Sequence, residues 1–276
     1  MTIKTLLVSA CDDPGREARL NLACDLAQAF DASLIGAGPC VSEPVADDAF
    51  AVGAMTGELT TLYRDKAEAD VRESQARFEA VAAARGIAGR WVDAVGHPAA
   101  VVNAAARAAD LVMVAARSPG APLRAPDPVD VIVGAGRPVL VVPTQPTAPP
   151  VGRAAVLAWK DSRESRLAAA AALPLLQASQ QTHVVSVCHE EDAAHVAAVL
   201  ADVQAWLERH EVPTSSQVLV KDETTTGERL LDYAAGLGAG LIVSGAYGHM
   251  RLTEWVLGGV TRSMLTNNAT CLLTAR

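Results

Sequence analysis

Short apolar runs alternate with longer stretches of helical periodicity, and the whole alternation is written twice. The two copies flank Pro143–Pro150, a stretch with four prolines in eight residues. Such a stretch reads as an extended linker, so two domains are expected, at 1–145 and 151–276. The first copy predicts strands at Ile3–Ser9, Ser33–Ala37, Arg90–Ala94, Leu111–Ala115 and Val139–Val142. Between them fall helices from Arg16 to Phe30, from Glu58 to Arg85 (stopped by Gly86), from Pro98 to Ala109 and from Pro128 to Val133. The second copy predicts strands at Ala154–Trp159, His183–Val187, Gln217–Val220, Leu241–Ser244 and Cys271–Thr274. Its helices run over Arg163–Ala178, Ala193–His210, Gly227–Leu237 and Glu254–Leu265. The third-from-last of these regularities is the cleanest: Val196, Val199, Leu200, Val203 and Leu207 fall on one helical face. Strands that alternate with helices, joined by right-handed crossovers, form a doubly wound parallel sheet. The expected fold is α/β: two tandem Rossmann-like domains, each with five parallel strands and helices on both faces.

Composition agrees with that architecture. Half of the residues are hydrophobic and only 4% are aromatic, which suits alanine-rich helices packed closely on a parallel sheet. The net charge of −8 argues against nucleic acid or an anionic membrane as partner. A small phosphate ligand needs only a local group of donors and is not excluded. The N-terminal apolar stretch is too short for a signal peptide and is followed by Asp12 and Asp13. There is no run of eighteen apolar residues. A cytoplasmic protein is expected. Its cysteines, at 11, 24, 40, 188 and 271, are scattered without a CxxC, so buried free thiols are expected rather than a disulfide framework or a zinc site.

One stretch points to chemistry. The apolar run Leu241-Ile242-Val243 leads into Gly245, Gly248 and, further on, Gly258-Gly259. Glycine lacks a Cβ and tolerates positive φ, so successive N–H groups can converge on phosphate oxygens. Doubly wound sheets bind ligands outside the carboxyl ends of their strands, where this stretch lies. In the first copy, Ala109–Ala115 lies over Ala239–Gly245, but the residues that follow carry prolines in place of the glycine pattern. Proline removes N–H donors, so the first copy is a poor candidate for the same site.

At these residues the chain resembles the universal stress proteins in their tandem form. The resemblance spans both copies and rests on Gly245-x-x-Gly248-x9-Gly258 followed by Gly259. It implies a five-stranded parallel α/β domain with ATP or AMP in the cleft. The phosphates would lie on the glycine loop, and the ribose and adenine nearer the first strand. Nucleotide-binding members carry Ser or Thr where this chain has Gly259, which leaves a backbone N–H, with Val260 and Thr261 beside it. Their ligand-side Asp falls at Lys160, and Asp161 follows one position late. The first copy keeps its acids in Ser9-Ala10-Cys11-Asp12-Asp13 but lacks the glycines. At most one nucleotide per chain is therefore expected.

Each candidate also has a structural reading. The four glycines serve either phosphate binding or tight packing. His249, Arg251, Arg262 and Lys160 are phosphate cations or solvated charges. Asp161 either accepts from ribose hydroxyls or caps the helix that begins near Arg163. Tyr247 and Trp255 stack on a base or cover a helix–sheet seam, and Trp206 reads as core or helix face. His183, His189 and His195 lack metal-ligand spacing, and no metal is expected. Ser118 and Ser162 have no nucleophile context. The segment Cys40–Gly57 reads as a lid or an oligomer contact. Three functions stay open. The first is a non-enzymatic stress-response binding or regulatory module, built as an intramolecular pseudo-dimer, with a homodimer also open. The second is a member that oligomerises or binds an apolar small molecule without nucleotide. The third is a slow adenine-nucleotide hydrolase, for which Asp161 and Glu254 are the available acids.

Overall fold

The structure, a computed structural model, describes residues 2–40, 57–117, 125–246, 264–266 and 269–276. Two compact units divide between Gly136 and Arg137. The unit Ile3–Gly136 holds four strands: β1 (Thr5–Ser9), β2 (Ser33–Cys40), β3 (Gly89–Val95) and β4 (Leu111–Ala115). Their order is β3-β2-β1-β4, and every pairing is parallel. The helices are α1 (Arg16–Phe30), α2 (Gly57–Ala84), α3 (Pro98–Ala105) and α4 (Pro128–Gly134).

The second unit, Arg137–Arg276, orders its strands β5-β10-β9-β6-β7-β8. They are β5 (Val139–Val142), β6 (Ala154–Ala158), β7 (Gln181–Cys188), β8 (Thr214–Val220), β9 (Leu241–Gly245) and β10 (Cys271–Ala275). Its helices are α5 (Arg163–Gln177), α6 (Ala193–Arg209) and α7 (Thr226–Gly236). β6 to β10 are parallel. β5 runs antiparallel to β10, with Leu140 opposite Leu273. The linker is held against this unit: Thr147 donates from N and Oγ1 to the Ala269 carbonyl at 2.8 and 3.1 Å.

This topology follows from burial. The strand centres Leu6–Val8, Leu111–Val114, Ala155–Leu157 and Leu241–Val243 are all buried. Strands buried on both faces need helical crossovers, since a tight turn cannot join parallel neighbours. From β6 to β7 to β8 the chain steps one way; from β8 it jumps back past β6 to β9. Right-handed crossovers therefore place helices on both faces. The point of reversal is the gap between β6 and β9, and that between β1 and β4 in the first unit. The sheet is α/β and parallel-dominated, with five strands from each copy of the repeat.

Helix ends follow local chemistry. α7 begins with a reciprocal capping box: Thr225 Oγ1 accepts from Glu228 N at 3.3 Å, and Glu228 accepts from Thr225 N at 2.9 Å. α5 is capped by Ser162, whose Oγ accepts from Ser165 N at 3.2 Å. This corrects the assignment of Asp161 as the cap. Pro98–Ala109, expected as one helix, is α3 followed by a tighter 3-10 turn at Ala106–Ala108. β2 continues to Cys40 through Gly36, Gly38 and Pro39. A Cβ on Gly36 would lie 2.8 Å from both Phe78 and Trp91, and one on Gly38 would lie 2.3 Å from Trp91. These glycines let two aromatic rings lie on the strand. Cys11, Cys24, Cys188 and Cys271 are free thiols, and burial pushes Cys271 up to about 12.

Gly240, just before β9, makes the tightest backbone contact among the described glycines of this unit: a Cβ there would lie 1.8 Å from the Pro149 carbonyl oxygen. Gly236 has nothing within 4 Å. Gly240→Ala is expected to cost about 1–3 kcal/mol through overpacking against backbone. Gly236→Ala is expected to be neutral or to stabilise by up to about 1 kcal/mol. Urea denaturation of both variants checks this; equal effects would contradict the packing.

Candidate functional site

The reversal between β6 and β9 brings together two parts of the expected site. Ala158 pairs with Ser244, so the chain leaving β6 through Trp159, Lys160 and Asp161 emerges beside Gly245. Gly248, His249, Arg251, Gly258, Gly259, Val260 and Thr261 lie outside the described residues, as do Tyr247, Glu254, Trp255, Arg262 and Ser118. So do the greater parts of the 254–265 helix and of the 40–57 segment.

Gly245 has a direct structural duty. A Cβ there would lie 2.5 Å from Ser165 N and 2.6 Å from the Glu164 carbonyl carbon. The end of β9 therefore touches the first turn of α5, backbone against backbone, and only glycine allows that approach. The contact also brings β9 up to a helix N-terminus, where N–H groups favour anions. The first unit has Ala115 at the equivalent position, with six residues (10–15) between strand and helix against four (159–162).

Asp161 is exposed and pairs with Arg166 at 2.5 Å. Lys160 is exposed and forms no ion pair among the described residues. The first unit answers the same sequence differently. Arg16-Glu17-Ala18-Arg19 opens α1, and Arg163-Glu164-Ser165-Arg166 opens α5, so Arg19 is the counterpart of Arg166. Arg19 is interior: its side chain is 1% exposed and that of its partner Asp13 is 6% exposed, against 59% and 60% for Arg166 and Asp161. The Arg19 guanidinium donates to both Asp13 oxygens at 3.0 and 2.6 Å, and to the carbonyls of Ser9 and Cys11 at 2.7 and 3.3 Å. Asp13 also accepts from Gly15 N at 2.9 Å. Asp12, the other acid retained there, pairs with Arg16 at 3.2 Å.

The exchange is reciprocal. Ala10 N donates to the Ala37 carbonyl just as Trp159 N donates to that of Val185, so Ala10 and Trp159 are equivalent. Small Ala10 goes with an interior arginine; large Trp159 goes with an exterior one. The repeated Arg-Glu-x-Arg was the sequence signal for this pair. Burial was not legible in it, because it goes with the residue just past the strand end, Ala10 in one copy and Trp159 in the other.

Among the described residues, His183, His189 and His195 are structural or solvated. His183 Nδ1 lies 3.1 Å from Ser215 Oγ, the ring packs edge-on to Tyr233, and burial lowers its pKa. Glu190–Asp192 form a 3-10 turn between His189 and His195. Among the described residues no three His, Cys, Asp or Glu side chains gather as a metal site, and no helix is long and apolar enough to cross a membrane.

Arg19→Met leaves Asp13 buried and uncompensated, so a loss of about 3–5 kcal/mol is expected. Arg166→Met breaks an exposed pair and should cost less than about 1 kcal/mol. Chemical denaturation of both variants distinguishes them; similar losses would contradict the asymmetry.

No protein-family model and no curated protein matches the chain. Solved structures do. A universal stress protein from Archaeoglobus fulgidus DSM 4304 superposes with a TM-score of 0.78 at 12% identity, covering 100% of this chain and 97% of that one. A functionally unknown protein from Pseudomonas aeruginosa PAO1 gives 0.60 at 16% identity, covering 98% and 92%. A provisionally assigned universal stress protein from Pseudomonas aeruginosa UCBPP-PA14 gives 0.59 at 16% identity, with the same coverage.

Proposed function

We propose that this chain, which has the fold of the universal stress proteins in tandem, is a non-enzymatic binding and regulatory module of the stress response. Each repeat, 1–145 and 151–276, is one domain of it. It takes a single adenine nucleotide, ATP or AMP, at the carboxyl end of β9. The observation that carries this reading is the contrast between the two reversal points. In the first, Arg19 binds both oxygens of Asp13, and Arg16 pairs with Asp12. Neither acid is left unpaired for a ribose. In the second, a glycine strand end abuts a helix N-terminus, and Lys160 stands exposed beside it. A lysine and a helix N-terminus suit phosphate. The nucleotide would be held by Gly245, Gly248, Gly258 and Gly259, the N–H groups of Val260 and Thr261, and the cations Lys160, His249 and Arg251. Asp161, held by Arg166, is poorly placed to serve as a general base.

A second reading is a member that binds an apolar small molecule without nucleotide. It is favoured by Gly259 at the hydroxyl position and Lys160 at the acid position.

Calorimetry with AMP tests the first reading. One site per chain is expected, and Gly248→Val should abolish it by blocking close approach to the phosphate. Two equivalent sites, or unchanged affinity in the variant, would overturn it.

A further inference from the structure

The two units differ in how their first two helices meet. In the first, α1 and α2 are clamped by three ion pairs: Arg16–Glu73 at 3.4 Å, Arg77–Glu17, and Arg85–Asp25 at 2.6 Å. Among the described residues no ion pair joins α5 to α6 in the second. A cavity of about 510 Å³ lies there instead. Its apolar lining is Ala169 from α5 with Val199 and Val203 from α6, and two indoles, Trp159 and Trp206, also contribute. Asp161, Arg166 and Asp202 supply the charges.

We propose that this cavity is a second binding site, for a planar aromatic cation. Three observations define the ligand. The volume is that of a small-molecule pocket, and two indoles are in its lining; such rings attract flat rings and cations. The charge is set by elimination: Arg166 is paired with Asp161, whereas Asp202 makes no ion pair among the described residues and faces the cavity unneutralised. An anion would meet that carboxylate. A cation is complementary to it, and the net charge of −8 assists its approach. The exchange of Ala10 for Trp159 goes with the site. Where the first unit fills its interior with Arg19, the second has an indole wall and an arginine turned outward.

Three quinolines test this, on the full chain labelled with 5-fluorotryptophan and observed by fluorine NMR. They are 2-(aminomethyl)quinoline, neutral quinaldine and anionic quinaldate. The cation should shift the Trp159 and Trp206 resonances, assigned by single Phe substitutions, and leave Trp91 unmoved. Quinaldine should bind more weakly and quinaldate least. Asp202→Asn, at an exposed position, should weaken the cation about fivefold, to the affinity of quinaldine, without changing that of quinaldine. Trp159→Ala, which removes a lining ring, should weaken both about fivefold. AMP should not displace the probe. No shift at Trp159 and Trp206, tighter binding of quinaldate, an Asp202→Asn variant that binds all three as before, or displacement by AMP would overturn the proposal.

Discussion

Burying parallel strands on both faces is the constraint from which the architecture follows. The strand centres reach essentially no water, so their connections must climb over the sheet as helices. A chain that steps one way and then jumps back leaves one gap between strands that no crossover covers. The carboxyl ends of β6 and β9 face that gap in one unit, and those of β1 and β4 in the other. Whatever chemistry the repeat supports is confined to what those ends can present.

The two copies present different things because of a single guanidinium. Arg19 is almost wholly out of water, so each of its hydrogen bonds matters; Asp13 and two carbonyls of the β1–α1 connection satisfy it. The loop is thereby fixed and its acid consumed. In the second copy Trp159 stands at the position of Ala10, Arg166 is exposed, and the connection is shorter. The shorter connection sets the first turn of α5 against Gly245. One substitution pattern thus converts a filled interior into an open cavity and a strand end poised at a helix N-terminus.

Much of this order was legible in the sequence. α1, β4 and β5 begin and end where periodicity and apolar runs place them. The misses have local causes. β8 starts at Thr214 rather than Gln217, because Thr214–Ser216 belong to an outer strand with no apolar alternation to announce them. β2 runs on to Cys40 past residues that usually break strands. Gly36 and Gly38 receive aromatic rings from Phe78 and Trp91. Pro39 lies beyond Ala37, the last partner of β1, where no N–H is needed on that side. Ser162 rather than Asp161 caps α5 because Arg166 claims the carboxylate. Of the candidate site, Gly245, Lys160 and Asp161 can be placed. The sequence marks Gly245 as a glycine but not why: its neighbour is backbone eighty residues away.

The central claim is that the copies share a fold and differ in what their reversal points can hold. A crystal structure of the chain grown with AMP tests it most directly. The account predicts one nucleotide per chain, with its phosphate at the carboxyl end of β9, beside Gly245 and Lys160, and the Arg19–Asp13 pair intact. A nucleotide at the end of β1, or one in each copy, would contradict it.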